Sequence, residues 1–313
     1  MILFVFVAAA LAALLVTPAV VRVVTARGVY GHVRGTVDPE APRVPRMGGI
    51  AVCLATTIAL ALAAALFGVM EGTPGHGFLA GVLLAGWIIF IAGLADDLFD
   101  LRPTTKLLAQ CLAAVVAYAF GFRIVEIAFA GVTVQVGLVS LALTVLWIVA
   151  VVNAFNLIDG LDGLAGGLAT SAFTAYAVIA FMQGRYGVAA FCMTIVGGLL
   201  SYTWFNIFPA RFFMGDIGSF SLGTALGVVA MITDTVLLLP IIAAVFVAEA
   251  GSTLIQILSK KLRGGKKIFK IAPVHHHFEA SGWEETKVTM RFWVIGQVAG
   301  VVGLMLFLLG GGL

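Results

Sequence analysis

A chain of 313 residues in which 62% are hydrophobic and only 11% carry a charge cannot be an ordinary soluble domain. Soluble domains devote about a quarter of their residues to Asp, Glu, Lys and Arg, and the mean hydropathy of +1.13 lies far above their range. With a formal net charge of +3, the composition predicts a polytopic membrane protein that forms one domain over residues 1–313.

Uncharged stretches recur along the chain at the length of about 20 residues that is needed to cross a hydrocarbon core roughly 30 Å thick. They predict an all-α fold with about ten transmembrane helices. The first is expected to be a retained helix, because no basic residue precedes Arg22 as a cleaved signal would require. In chain order the predicted spans are 2–22, 47–69, 78–95, 105–121, 138–156, 163–182, 188–206, 218–234, 236–258 and 290–310.

The basic residues are distributed unevenly between the two sides of the predicted bundle. When successive loops are assigned to alternate sides, Arg123 and Arg185 fall on one side, and every other Lys and Arg falls on the other. By the positive-inside rule, the basic side is cytoplasmic and both termini are extracytoplasmic. The chain is therefore expected to be a multi-pass protein of the plasma (inner) membrane, surrounded by membrane lipids.

Acidic residues gather at the predicted cytoplasmic ends of the spans. Carboxylates that several helices bring to one depth need a counter-charge, and a divalent cation is a natural one. Because hard oxygen ligands predominate and no Cys lies nearby in the sequence, Mg²⁺ is favoured, with Mn²⁺ as the alternative. The acidic residues in question are Asp96, Asp97, Asp100, Asp159, Asp162, Asp216 and Glu279.

Two short motifs place these acids at defined spacings. In the first, a helix would put Asp96 and Asp100 on one face and turn Asp97 about 100° away. Asn156 begins the second, in which a polar residue recurs at every third position as far as Asp162, beside glycines that allow a turn. Solvated or capped helix ends are the alternative interpretation of both motifs.

A polar loop from Ser259 to Arg291 follows the ninth predicted span. Six of its basic residues lie between Lys260 and Lys270, and the run His-His-His-Phe-Glu begins at His275. Three imidazoles beside a carboxylate and a basic cluster are suited to gripping phosphates at a membrane surface. For most of the lysines the alternative is binding of anionic lipid, whereas a metal site made of consecutive imidazoles would be geometrically awkward.

Taken together, these motifs resemble the polyprenyl-phosphate N-acetylhexosamine-1-phosphate transferases, and most closely the phospho-N-acetylmuramoyl-pentapeptide transferase (MraY) branch. The resemblance implies transfer of a phospho-sugar from a UDP-sugar donor to a polyprenyl phosphate, with release of UMP and an active site at the cytoplasmic face. In the MraY branch the acceptor is undecaprenyl phosphate and the reaction belongs to peptidoglycan synthesis. The matching segments are Met47 to Ile50, Asp96 with Asp97, Asn156 to Gly163, Asn206 to Gly218, and Lys261 to Trp293.

The same resemblance implies roles for individual residues. Asp216 is expected to bind Mg²⁺ on the donor diphosphate, with Asp97 close to the metal. Asp96 is the expected general base, and an aspartate nucleophile such as Asp216 is the alternative. His275 is expected to act in catalysis, and Phe213 to stack on uracil. The residues expected to bind substrates are Lys106, Asn156, Asp159, Gly160, Asp162, Asn206, Phe213, Gln256, His275 and His276.

Other functions stay open at this point. Asp100 and the compact connection 102–106 resemble the branch that uses UDP-N-acetylglucosamine, so the donor sugar is not fixed. An ion-coupled transporter is the alternative from another class, because intramembrane acids can line a pathway. Against it, only Glu249 is predicted to lie deep in the membrane, where helix packing explains it. A homodimer is a further open expectation, and no nucleic-acid partner is expected.

Overall fold

Ten long helices dominate the computed structural model over the residues that it describes, which are 1–31, 44–67, 75–129 and 132–310. Two shorter helices, α9 (Leu239–Ile242) and α11 (Val274–Glu279), lie between the last long ones. The long helices are α1 (Ile2–Ala26), α2 (Gly48–Phe67), α3 (Gly75–Phe99), α4 (Pro103–Ala119), α5 (Ser140–Ile158), α6 (Leu164–Met182), α7 (Tyr186–Asn206), α8 (Gly215–Ile232), α10 (Ala244–Leu262) and α12 (Glu285–Leu309).

The prediction of an all-α, multi-pass membrane protein is confirmed. Within the described segments, seven helices are long and apolar enough to cross a membrane, or up to eight if one bent pair forms a single span. Strand structure is limited there to two antiparallel hairpins, β1 (Tyr30–Gly31) with β2 (Val44–Pro45) and β3 (Glu126–Phe129) with β4 (Val132–Gln135). Arg34 and Arg43, which the topology prediction assigns to the basic side, lie outside the described residues.

The predicted ninth span, 236–258, was wrong as a single continuous helix. The chain breaks at Ala243, whose backbone has φ −104° and ψ 37°, and the segments on either side meet at an angle of 86°. Hydropathy reports how apolar a segment is and not its direction, so a bend between two apolar pieces leaves no trace in the pattern. Beyond the bend, Gln256 and Ser259 of α10 donate hydrogen bonds to carbonyls of the basic loop.

Helix α8 is the most enclosed element of the bundle. Its membrane-length window is 83% buried, compared with 22% for α1 and 28% for α12 at the periphery. Helices α2, α3 and α5 all pack against it. The N-terminus of α8 is therefore fixed by several neighbours at once.

Close glycine contacts hold α2 and α3 against the start of α8. A Cβ atom at Gly49 would meet the backbone of Gly218, and one at Gly93 would lie 2.6 Å from the Cα of Ile217. The amide of Gly49 also donates to the carbonyl of Met214, with a distance of 2.8 Å. Small residues allow membrane helices to approach at backbone distance, so these glycines bring the helix ends together.

We expect Gly49→Ala to lower the free energy of unfolding by about 1–3 kcal/mol, because the added methyl group must push two backbones apart. Thermal unfolding in detergent measures the change. Gly86→Ala in α3 is the matched control, since nothing lies within 4 Å of a Cβ atom at that position. Equal stability of the two variants would contradict the proposed close packing.

Candidate active site

Three helix ends bring two carboxylates to one ammonium group. Asp96 lies in the last turn of α3, Lys106 in the first turn of α4, and Asp216 in the first turn of α8. The Nζ atom of Lys106 lies 2.6 Å from Oδ2 of Asp96 and 3.2 Å from Oδ2 of Asp216. Since Asp96 is only 6% exposed, the two carboxylates would repel each other strongly without this cation. The predicted convergence of Asp96 and Asp216 is therefore present in the fold.

Asp97 points away from Asp96 and accepts hydrogen bonds from the start of α8. Its Oδ1 atom accepts from the amide of Asp216 at 3.0 Å, and its Oδ2 atom accepts from the amide of Ile217 at 3.2 Å. These amides are among those that a helix N-terminus leaves without an internal partner. Gly215 leaves space for the carboxylate, because a Cβ atom there would collide with it. Asp97 thereby fixes the backbone that carries Asp216.

The amide of Asn156 completes the surroundings of Asp216. Its Nδ2 atom donates to Oδ1 of Asp216 at 2.9 Å and lies 3.0 Å from the hydroxyl of Ser219. Both carboxylate oxygens of Asp216 thus have a donor, one from α5 and one from α4. Ser219 was not among the predicted residues, although its place one helical turn after Asp216 is a signal that the sequence contains.

The chemistry of this cluster is compatible with a magnesium ion held partly by a substrate. Among the residues that the structure describes, no group of three or more His, Cys, Asp or Glu side chains surrounds a common point. Mg²⁺ typically takes one or two carboxylates and completes its shell with water and substrate phosphates. Asp216 and Asp96 are the candidate ligands, because their oxygens meet at the Lys106 ammonium, whereas both oxygens of Asp97 accept backbone amides that begin α8.

A cleft of about 280 Å³ opens beside Asp216. Glu279, one of the acids expected at the cytoplasmic ends of the spans, also lines it, together with Arg46 and Glu285, which were not predicted as site residues. No motif connects Arg46 or Glu285 with the acidic segments, so only the fold reveals them. The predicted site residues that the cleft brings together are Asp159, Gly160, Asp162, Asn206, Phe213, Asp216 and His276.

Asp162 fixes the turn between α5 and α6 along one wall of the cleft. Its Oδ2 atom accepts from the amide of Ala210 at 2.8 Å, and its own amide donates to Oε1 of Glu285 at 2.7 Å. Burial raises the pKa of the Asp162 carboxyl, and the hydrogen bond from Ala210 partly opposes that shift. Asp162 consequently joins the start of α12 to the segment after α7.

Asn206 is buried, and both polar atoms of its side-chain amide form hydrogen bonds with the protein backbone. Its Oδ1 atom accepts from the amide of Gly163 at 3.0 Å, and its Nδ2 atom donates to the carbonyl of Phe212 at 2.9 Å. The side chain of the next residue, Phe213, is half-buried and lines the cleft. Asn206 therefore sets the distance between the α5–α6 turn and the aromatic ring of Phe213.

The three consecutive histidines of α11 face three different surroundings. His276 lines the cleft, and its Nδ1 atom lies 2.6 Å from Oε2 of Glu279. The Nδ1 atom of His277 accepts from the amide of Lys270 at 3.1 Å, away from the cleft. His275 is only 1% exposed and lies behind the cleft wall, 3.0 Å from a carboxylate oxygen of Glu249.

Four residues predicted to bind substrate are not among those that line the cleft. Lys106 and Asn156 lie beside Asp216 instead. The other two are His275 and Gln256, whose side chain holds the loop that follows α10. The Oε1 atom of Gln256 accepts from the amide of Ile268 at 3.0 Å, and its Nε2 atom donates to the carbonyl of Phe269 at 2.8 Å. Gln256 thus holds the loop, and His275 belongs to α11, which also carries His276.

Comparison with known proteins connects this geometry with one group of enzymes. Residues 79–234 match the model of glycosyl transferase family 4. Proteins named phospho-N-acetylmuramoyl-pentapeptide-transferase are similar over most of the chain. The relative from Anoxybacillus flavithermus is 37% identical over 83% of this chain and 82% of its own length. The relative from Listeria monocytogenes is 34% identical over 72% of this chain and 76% of its own length. The relative from Lactiplantibacillus plantarum is 43% identical over 65% of this chain and 64% of its own length.

We expect Asp97→Ala to lower the free energy of unfolding by about 1–2 kcal/mol, because two amides of α8 lose their acceptor. Thermal unfolding in detergent provides the measurement. Glu284→Ala is the control, since Glu284 precedes α12 and its side chain caps no amide there. If both variants unfold like the unsubstituted protein, Asp97 does not anchor the start of α8.

Proposed function

The chain belongs to the family of phospho-N-acetylmuramoyl-pentapeptide transferases, and on that premise we propose that it makes the first lipid-linked intermediate of peptidoglycan synthesis. The donor is UDP-MurNAc-pentapeptide and the acceptor is undecaprenyl phosphate. The products are undecaprenyl-diphospho-MurNAc-pentapeptide (lipid I) and UMP. The observation that carries the proposal is the meeting of Asp96 and Asp216 on Lys106 at the edge of a cleft.

The cleft offers suitable contacts for the nucleotide end of the donor. Phe213 presents an aromatic face, and stacking of a base on such a ring contributes about 1–3 kcal/mol. Asp159 and Gly160 in the α5–α6 turn also line the cleft and are the candidates for holding uridine. His276, paired with Glu279, offers an imidazole to the sugar or the diphosphate.

The reaction exchanges one phosphorus–oxygen bond for another. An oxygen of the acceptor phosphate forms a bond to the phosphorus that carries the sugar, and the bond from that phosphorus to the oxygen of UMP breaks. Lys106 and Asp216 lie where the phosphates of both substrates must meet. Mg²⁺, when bound with the donor diphosphate, would neutralise negative charge there.

Asp96 is the candidate for the group that accepts a proton from the acceptor phosphate. Its Oδ2 atom faces Lys106, and its Oδ1 atom accepts from the amide of Leu101 at 2.9 Å, so the carboxylate has a fixed orientation. The alternative is a two-step route in which Asp216 attacks first and forms a covalent phosphoryl intermediate. In both routes the ammonium of Lys106 keeps the two acids close together.

The membrane setting explains why a water-soluble donor is handled by a helical bundle. The apolar tail of the acceptor stays in the bilayer, and only its phosphate has to reach the ends of α3, α4 and α8. We place this end at the cytoplasmic face of the inner membrane, with both chain termini on the other side, because nearly all basic residues belong to the same side. The acids of the site gather at that end of the bundle, which favours surface chemistry over ion transport.

We expect Asp216→Asn to reduce turnover to background in purified protein, because the carboxylate charge that would bind Mg²⁺ is lost while its shape is kept. Release of UMP in the presence of both substrates measures turnover. EDTA should abolish turnover of the unsubstituted protein, and Mg²⁺ or Mn²⁺ should restore it.

Asp234→Asn is the matched control for this experiment. Asp234 lies just beyond the opposite end of α8, is 64% exposed and pairs with Arg185 at 2.6 Å. An exposed ion pair of this type contributes about 0–1 kcal/mol to stability, so Asp234→Asn should turn over normally. Substantial metal-dependent activity of Asp216→Asn would exclude Asp216 from the metal site.

A comparison of donors tests the proposed substrate. With undecaprenyl phosphate as the acceptor, UDP-MurNAc-pentapeptide should support UMP release, and UDP-N-acetylglucosamine should not. Preference for UDP-N-acetylglucosamine would retain the phosphotransferase chemistry and reassign the donor. Movement of a solute across vesicles without bond cleavage would instead favour a transporter.

A further inference from the structure

A fully buried pair lies behind the donor cleft. Glu249, in α10, is 0% exposed, and His275, in α11, is 1% exposed. The Oε2 atom of Glu249 is 3.0 Å from Nδ1 of His275 and 3.4 Å from its backbone nitrogen. One carboxylate oxygen therefore holds both the ring and the backbone of the first histidine.

The remaining polar atoms of this pair are not satisfied by the protein. Within the described part of the chain, neither Oε1 of Glu249 nor Nε2 of His275 has a hydrogen-bond partner. Buried pairs of this kind are weak contributors to stability, because desolvation of the charged group offsets much of their attraction. Stability alone is therefore a poor explanation for the pair.

The pair is connected directly to the cleft wall. A Cβ atom at Gly160 would lie 2.5 Å from Nε2 of His275, so the imidazole fills the space that a side chain of the turn would need. On the other side, His275 is followed immediately by His276, which lines the cleft together with Gly160. The ring of His275 is thus a spacer between α10, α11 and the α5–α6 turn.

Glu249 fixes how that spacer is oriented. Its Oε2 atom contacts Nδ1 of the ring, which leaves Nε2 facing the turn at Gly160. Carboxylate partners commonly fix the orientation and tautomer of functional histidines in this way. A displacement of about 1 Å at a substrate contact is enough to impair binding and turnover.

We propose that Glu249 is a positioning residue for donor binding, acting through His275 to set the separation between His276 and the turn at Gly160. This inference rests on the proposed function, because it takes the cleft as the site of the UDP-sugar. Glu249 would then contribute to recognition of the donor without contacting either substrate.

The test compares two substitutions of similar volume in the full chain. Glu249→Gln keeps an oxygen that can accept from Nδ1, whereas Glu249→Leu removes both hydrogen bonds. Donor affinity is measured by isothermal titration with UDP-MurNAc-pentapeptide in the absence of acceptor, followed by KM for each substrate. Ser252→Ala is the matched control, because its buried hydroxyl donates to the backbone carbonyl of Glu249 within α10.

Glu249→Leu should raise the Kd and KM of the donor about tenfold, by analogy with the lower end of the effect known for groups that orient metal-binding histidines. Glu249→Gln should stay within about threefold of the unsubstituted protein. The KM of undecaprenyl phosphate should change little in both variants, and Ser252→Ala should behave like the unsubstituted protein. A role in packing alone predicts equal effects of Gln and Leu, which would overturn the proposal.

A double-mutant cycle tests whether Glu249 acts through the imidazole. Combining Glu249→Leu with His275→Leu should raise the donor Kd no further than His275→Leu alone, because the two residues belong to one pathway. Additive losses would overturn the proposal.

Should Glu249→Leu fail to fold, Gly160→Ala displaces the same ring from the cleft side. It should weaken donor binding about tenfold, and an unchanged Kd would contradict the spacer role.

The outcomes separate this inference from the proposed function. An unsubstituted protein that binds and transfers the donor supports the function, whatever the Glu249 variants do. Variants with normal donor affinity would then overturn the positioning role alone. An unsubstituted protein that does not bind this donor would overturn the proposed function and the inference together.

Discussion

The ammonium of Lys106 between Asp96 and Asp216 is the interaction on which the site depends. A cation between them offsets the repulsion of the two carboxylates at the ends of α3 and α8. The backbone makes this closeness unavoidable, because contacts at Gly93 and Gly218 bring the neighbouring helices against the start of α8. The charges at this end of the bundle therefore have positions that the backbone already fixes.

The cleft beside Asp216 is shaped by polar side chains whose hydrogen bonds go to the protein backbone. Asn206 bridges two backbone segments, and Asp162 joins the start of α12 to the segment after α7. Such residues gain their effect by holding Phe213 and the α5–α6 turn at the right separation. Preorganisation of this kind lowers the cost of ordering the site when a ligand binds.

Much of the architecture was predictable, because a membrane span is a local property of about 20 residues. The grouping of Asp96 with Asp216 followed from the same pattern, since acids at corresponding helix ends share one depth. The break at Ala243 was not predictable from hydropathy. The partnership of Glu249 with His275 was missed as well, although Glu249 begins a polar stripe on α10 that continues through Gln256. Such a stripe shows that a face is polar, and only tertiary packing decides which side chain meets it.

The roles of consecutive residues of the same type were the hardest feature of the site to infer from the sequence. Successive side chains of a helix point about 100° apart, so neighbours with the same chemistry meet different surroundings. Asp96 faces Lys106 while Asp97 accepts from the start of α8. In α11 the same geometry turns His275 towards Glu249 and His276 towards the cleft. Neighbouring residues of the same type in this fold therefore have different partners, and only the tertiary structure shows which partner each one has.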